Sequence, residues 1–400
     1  MGSHYFDHCL PEQRFTMSGC IPYLSGVLWY VEDWDQRRLI LVYSPVEKYD
    51  DDFIFSALAK FVDDLPADAL RVSISDDGTF LSSKSDITED FAFVPFYPSL
   101  ADFPTGTATV SRGDLTEVDR LGLMVDLTTY QPRPGVTKKV VFKYFVNVAN
   151  RASIWHETNC VMRIPKHPNI VPFDALVVDV VEGDDKVVGF VTQYVPGGTL
   201  DENDDRVFKL KYLKQLIQTD SIQVFDFNSA AKLGWGGDEA NDFVFGYDEA
   251  CNDVKFVVFT LYEIITREFS FRREFYPNEL DMTKVLMKRE WEKHPDVKLD
   301  SPVTEYRLIL EEWVNRRKTV DERINHFTKA SEPLDWPPVP GFPSHDIAGR
   351  PLDCACQLRF LLVKEGRDFL KWQRPPTRDL PLPEGRRLLA TGEIVSDDDS

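Results

Sequence analysis

The chain has 400 residues, of which 46 are basic and 66 acidic, giving a formal net charge of −20; 43% are hydrophobic, with 28 phenylalanines among them. That length suits two or three structural units of about 100–200 residues each, and so much apolar content excludes a disordered or collagen-like chain. The acidic balance repels phosphate backbones and anionic lipid, and no local basic patch offsets it, so neither nucleic acid nor a membrane surface is expected as a partner.

From Gly26 onward, GVLWYV (26–31) and RLILVY (38–43) read as strands, FIFSALAKFVDDL (53–65) as a helix and LRVSI (70–74) as a further strand. Residues 1–110 therefore read as an N-terminal α/β extension without an assignable role. It carries no chemical constellation, so it is either a structural extension packed on the next domain or a separate binding module. A stretch punctuated by Pro, Asp and Ser, FVPFYPSLADFPTGT (93–107), puts a boundary near residue 110.

Next, KKVVFKYF (138–145) reads as a strand carrying Lys143. Glu157 follows in IWHETNCVMRI (154–164), three residues after Ile154 and four before Val161, on the apolar face of a helix. A carboxylate facing a core needs a partner, for which Lys143 is the natural choice; an exposed place on the helix edge is the alternative. The turn IPKHPNIVPF (164–173) leads to two strand-like runs, DALVVDVVEG (174–183) and KVVGFVTQYV (186–195), and the second closes in a glycine turn, PGGTL (196–200). A helix, VFKLKYLKQLIQT (207–219), then runs into a strand, SIQVFDFNSA (221–230).

NDVKFVVFTLYEIIT (252–266) is apolar on nearly all sides, the pattern of a buried helix. Charged helical segments at 279–293 and 303–329 extend a helical lobe. Beyond residue 331 the composition turns to proline, in EPLDWPPVPGFP (332–343) and QRPPTRDLPLPEG (373–385), before the acidic SDDDS (396–400). Residues 331–400 read as an extended strap that covers or links, with an SH3 or WW groove as the alternative partner for its prolines. The acidic end reads as solvated.

Taken in order, these motifs resemble those of eukaryotic protein kinases over residues 140–266. The resemblance makes Lys143 the strand lysine that contacts the ATP phosphates and Glu157 its partner on the regulatory helix. The His-Pro-Asn-Ile run matches the turn after that helix, where His167 is structural. GFVTQYVPGGTL (189–200) matches the hinge: backbone groups of Gln193, Tyr194 and Val195 would bond the adenine edge, with Thr192 as gatekeeper. Asp226-Phe227-Asn228 resembles the Asp-Phe-Gly magnesium motif, so Asp226 would bind Mg²⁺ bridging the phosphates. Asn in place of Gly keeps access to left-handed backbone. Residues 252–266 resemble the central helix of the C-lobe, opened by an Asp253 that braces the catalytic loop. The fold so implied is α+β and bilobal, with an N-lobe at 111–195 and a truncated C-lobe at 196–330. The whole chain looks like the kinase-like proteins of fungi, down to the phrase PEGRRLLATGEIVSDD (383–398).

Two parts of the family pattern are missing. Where three glycines should cover the phosphates, residues 118–139 offer only Gly122 and Gly135. Between hinge and Asp226 there is no His-Arg-Asp with its following Asn: the helix at 207–219, about 20 Å long, leads straight into Asp220 and Ser221. PSHDIAGRPL (343–352) echoes such a loop, but it lies after the buried helix and has Pro351 where the Asn belongs, so it reads as coincidence.

Without the loop there is no base for the acceptor hydroxyl and no ligand for the second metal. The chain therefore reads as a protein Ser/Thr kinase by family that has lost phosphotransfer. It is either a true pseudokinase or a chain lacking an exon between Thr219 and Asp220. The expected ligands are ATP and Mg²⁺. A pseudokinase scaffold or interaction protein is the second reading, and a small-molecule phosphotransferase the third.

Six cysteines at 9, 20, 160, 251, 354 and 356 form no disulfide framework or zinc spacing. No basic-then-apolar leader opens the sequence, and the most apolar helical run, 256–265, is far short of the roughly 18 residues a membrane span needs. A soluble, intracellular protein is expected.

Overall fold

The computed structural model describes residues 10–23, 25–45, 50–146, 151–198, 206–218, 252–275, 279–321, 326–346, 349–352, 356–375 and 382–398. The fold is mixed α/β. By its contacts the chain groups into two compact units, Met1–Asn150 with Phe173–Tyr194 and Pro340–Ser400, and Arg151–Pro172 with Val195–Val339.

The first unit holds two sheets. One runs in the order β1 (Phe15–Tyr23), β2 (Gly26–Asp33), β3 (Arg38–Ser44), β4 (Arg71–Ile74), β5 (Phe80–Lys84), preceded by the single turn α1 (Pro11–Arg14). Its neighbours are antiparallel except β3 and β4, which run parallel and so need a crossover. The helix α2 (Asp51–Leu58) lies within that connection. The Asp50 carboxylate caps α2 by accepting from the Phe53 amide at 3.2 Å, and Asp51 and Asp52 sit at the end where the helix dipole favours negative charge. Ile54, Phe55, Ala57 and Leu58 then bury against Trp29, Val31, Ile40 and Val72 of the sheet. The helix expected over 53–65 stops at Leu58, and a 3₁₀ turn, Val62–Asp64, follows. Val62 is still in the core, so the apolar spacing that suggested a longer helix comes from a turn packed on the same sheet.

The second sheet contains β7 (Thr109–Ser111), β8 (Thr116–Gly122), β9 (Val125–Arg133), β10 (Val136–Tyr144), β11 (Phe173–Val181) and β12 (Asp184–Gln193), in the order β7-β11-β12-β10-β9-β8. β8, β9 and β10 form an antiparallel meander, β12 pairs antiparallel with β10 and β11, and β7 runs parallel to β11. Two small ribbons complete the unit: β6 (Phe93–Pro95) with β13 (Cys356–Leu358), and β14 (Arg386–Leu388) with β15 (Ile394–Ser396).

Side chains from the segment after Pro340 enter this unit's core. Leu370, Trp372 and Ala390 pack with Val140, Phe142, Tyr144 and Val177 on one face of the second sheet. Trp372 stacks on Tyr144 with ring centroids 5.1 Å apart, and its Nε1 donates to Tyr97 Oη at 2.8 Å. The Ala390 amide bonds to the Leu115 carbonyl at 2.9 Å. Contacts therefore do not follow the linear division at residues 110 and 330. A sheet must cover its apolar face, and here the covering side chains come from the far end of the sequence.

The second unit is helical: α3 (Arg151–Arg163), α4 (Leu210–Gln218), α5 (Asn252–Thr266), α6 (Ser270–Glu274), α7 (Met282–Leu286) and α8 (Val303–Asp321). Val254, Val258, Phe259, Leu261, Tyr262 and Ile265 of α5 pack among Leu213, Val285, Trp291, Tyr306 and Leu310, which is the burial its composition implies. Of the segment 279–293, expected to be helical, the helix α7 covers only its middle; Trp291 then folds back, donating from Nε1 to the Val285 carbonyl at 3.2 Å. The first part of the proline-rich stretch pins α3: Trp336 Nε1 donates to His156 Nδ1 at 2.7 Å, and Trp155 Nε1 to the Pro337 carbonyl at 2.8 Å. Among the described residues no helix is long and apolar enough to cross a membrane.

Candidate functional site

Strand alternation divides β10 into two faces. Val140, Phe142 and Tyr144 enter the core shared with Trp372, leaving Val141 and Lys143 on the opposite face, both half-buried. Register carries that second face across the neighbours. Lys143 pairs with Val125 on β9 and Phe190 on β12, and Val141 pairs with Leu127 and Thr192. Two ammonium groups, of Lys139 and Lys143, thus share a sheet face with aliphatic and aromatic side chains, to which the register adds Thr192, Thr129 and Asp119. Such a surface suits a flat apolar ring joined to an anion.

Gly189 sets how closely β12 approaches at this point. A Cβ there would lie 2.2 Å from the Lys143 carbonyl oxygen and 2.9 Å from Tyr144 Cα. Only glycine allows the two backbones to meet beside the lysine.

β12 ends at Gln193, the first of the residues that the sequence suggested as a hinge. Thr192 is half-buried and Gln193 exposed, the Tyr194 ring lies 5.2 Å from Lys139 Nζ, and Val195, where the chain returns to the second unit, is exposed. Gly197 and Gly198 have φ of 104° and 72°, the left-handed region that the Pro-Gly-Gly turn demands. At the other end of the meander, Gly122 pairs directly with Val125, so Leu123 and Met124 form a two-residue turn with Met124 at φ 57°. The Met124 carbonyl accepts the Tyr144 amide at 3.0 Å, folding the turn onto β10.

Glu157 is 1% exposed on α3, which rules out the exposed helix edge. Asp226 lies outside the described residues, as do Asn228 and the junction of Thr219 with Asp220. Asp253 is exposed in the first turn of α5. In the His-Pro-Asn turn, His167 Nδ1 accepts the Asn169 amide at 3.2 Å, and Asn169 Nδ2 donates to the Gln215 carbonyl at 3.1 Å, fastening the turn to α4. The echo of a catalytic loop at 343–352 closes on itself: Asp346 pairs with Arg350, which also pairs with Glu365.

Sequence reasoning missed the most heavily charged feature of the first unit. Arg37, in the left-handed turn between β2 and β3 at φ 52°, donates from Nε to Tyr144 Oη at 2.7 Å and pairs with Asp126 of β9. Arg374 of the strap pairs with Glu117 of β8 and donates to Asp126 Oδ2 at 3.1 Å. Arg120 donates from Nε to Glu117 Oε1 at 3.1 Å and pairs with Asp35. Arg14 extends the chain of charges, donating to both Asp33 oxygens at 3.0 Å and to Asp63 at 2.7 Å.

Almost all of these groups are buried, so charge balance replaces water as their solvent. Burial pushes the Asp126 carboxyl up, but Arg37 and Arg374 together outweigh it and hold it below the ordinary range. For Glu117 burial wins over Arg374, with the Asp126 charge adding to it, and the carboxyl is pushed up to about 7. Burial and the Arg374 charge bring Arg120 down to about 9. β8 turns Arg120 inward and Val118 outward, inverting the usual alternation, so polarity along the strand gave no signal of this cluster.

Compared with protein-family models and with curated proteins, the chain matches none.

Proposed function

We propose that this chain is a protein-kinase-like protein that binds a nucleotide on the Lys143 face of the second sheet and, lacking a catalytic loop, works by binding instead of phosphotransfer. The observation that carries this is the register of β10 and β12. Lys143 stands on the third strand of an antiparallel meander, and Thr192 stands on the same face of the next strand, one residue before the hinge-like exit. Adenine would lie against Val141 and Thr192, with backbone groups of Gln193 to Val195 at its edge and Lys143 meeting the phosphates. Three more features support the proposal: the helix α3 after β10, its buried Glu157, and the His-Pro-Asn turn before β11. Asp226 is the residue proposed to hold Mg²⁺.

Thermal melting with and without ATP and Mg²⁺ tests binding. Saturation to a hundredfold above Kd should stabilise the protein by about 2.7 kcal/mol, and Lys143→Ala should remove the shift. An unshifted parent would sink the proposal. Phosphotransfer to a generic protein acceptor should be undetectable, because no His-Arg-Asp loop with its following Asn stands between hinge and Asp226. Turnover abolished by Asp226→Ala would overturn that part alone.

A further inference from the structure

The acidic run at 396–400 is not used by the nucleotide site, yet its first residue is ordered in a strand. Ser396 ends β15 and is followed in sequence by Asp397, Asp398 and Asp399. Three carboxylates directly after a hydroxyl form the pattern read by a kinase whose substrate groove is basic. An acceptor also has to be presented as extended backbone, and β15 is the edge of a two-stranded ribbon.

The opposite strand supplies a receptor for the product. Arg386 of β14 is the direct cross-strand partner of Ser396. The flanking pairs fix the kind of pairing. The Asp397 amide bonds to the Gly385 carbonyl and the Leu389 amide to the Glu393 carbonyl, both within 2.9 Å. Hydrogen-bonded pairs alternate along an antiparallel ladder, so Arg386 and Ser396 form a non-hydrogen-bonded pair, the kind whose side chains lie closest. Arg386 is exposed and Ser396 half-buried. Among the described residues neither the Arg386 guanidinium nor the Ser396 hydroxyl makes a side-chain hydrogen bond, so both are available. Arg387 is occupied elsewhere, donating to Thr116 Oγ1 at 3.3 Å.

We propose that Ser396 is a phosphoacceptor for an acid-directed Ser/Thr kinase, and that Arg386 holds the resulting phosphate across the hairpin. In the modification the Ser396 Oγ–P bond forms and the bond from the γ-phosphorus to the bridging oxygen of ATP breaks. The hydroxyl proton passes to the modifying kinase's aspartate and ADP leaves. The new dianion beside Asp397 and Asp398 is repelled by them, and the bidentate guanidinium opposite it offsets the repulsion. The hairpin connects to the core through Leu388, Leu389 and Ala390, all buried, so bracing it steadies the strap on the second sheet.

The test incubates the full chain with ATP, Mg²⁺ and a purified Ser/Thr kinase that requires carboxylates after its acceptor, with a control lacking that kinase. Tandem mass spectrometry locates the phosphate, and melting curves compare modified with unmodified protein. Phosphate should appear on Ser396 in the parent and be absent from Ser396→Ala. Modification should raise the parent's melting temperature and lower that of Arg386→Ala. Absence of phosphate from Ser396 in the parent overturns the site, and equal shifts in parent and Arg386→Ala overturn the role of the arginine.

Discussion

Asp126 lies between the guanidiniums of Arg37 and Arg374, and its neighbour Glu117 shares Arg374 with it. These two carboxylates should give the first unit opposing pH responses. The folded pKa of Asp126 is depressed, so the stability it contributes is present above its unfolded value of about 3.9 and is lost as pH falls below that. Asp126→Asn should remove that acid-side slope. The folded pKa of Glu117 is raised to about 7, so its contribution is full below an unfolded value of about 4.3 and fades as pH rises through 7. Denaturant titrations from pH 3 to 8 should show Glu117→Gln flattening the neutral side of the profile. Arg374→Ala leaves both carboxylates buried without their shared cation and should cost about 3–5 kcal/mol.

At the scale of elements, the contact between β10 and β12 leaves no room for a side chain at Gly189. Gly189→Ala would drive a Cβ into the Lys143 carbonyl, and backbone cannot yield as a flexible side chain can. We expect a loss of about 1–3 kcal/mol, with ATP-induced stabilisation reduced as well because the displaced strand carries Lys143. Urea unfolding with and without nucleotide separates the two effects. Nucleotide stabilisation left intact in a destabilised variant would show that Lys143 does not depend on this approach. On the other face, Trp372→Ala removes the ring stacked on Tyr144 and the Tyr97 hydrogen bond, and should cost about 3–5 kcal/mol.

For the whole molecule, the first unit joins residues more than 300 positions apart, as in the hydrogen bond from Arg37 to the Ala390 carbonyl. Deleting residues 367–400 takes away Trp372, Arg374 and Ala390 together and should abolish cooperative unfolding of that unit in circular dichroism. Adding a peptide of residues 367–400 should restore part of it. An unchanged transition in the deleted chain would show the strap to be dispensable.

The sequence by itself determined the local elements: the strands at 26–31, 38–43 and 70–74, the strand bearing Lys143, the inward face for Glu157, the glycine turn after β12 and the buried helix at 252–266. Each depends on periodicity or on backbone chemistry that a few adjacent residues carry. Tertiary structure alone decided that the proline-rich end belongs to the same unit as the first strands, and that Arg37, Arg120 and Arg374 are buried instead of solvated. The reason is physical: a buried charge is tolerable only when its partners surround it, and here those partners come from segments that no local pattern links.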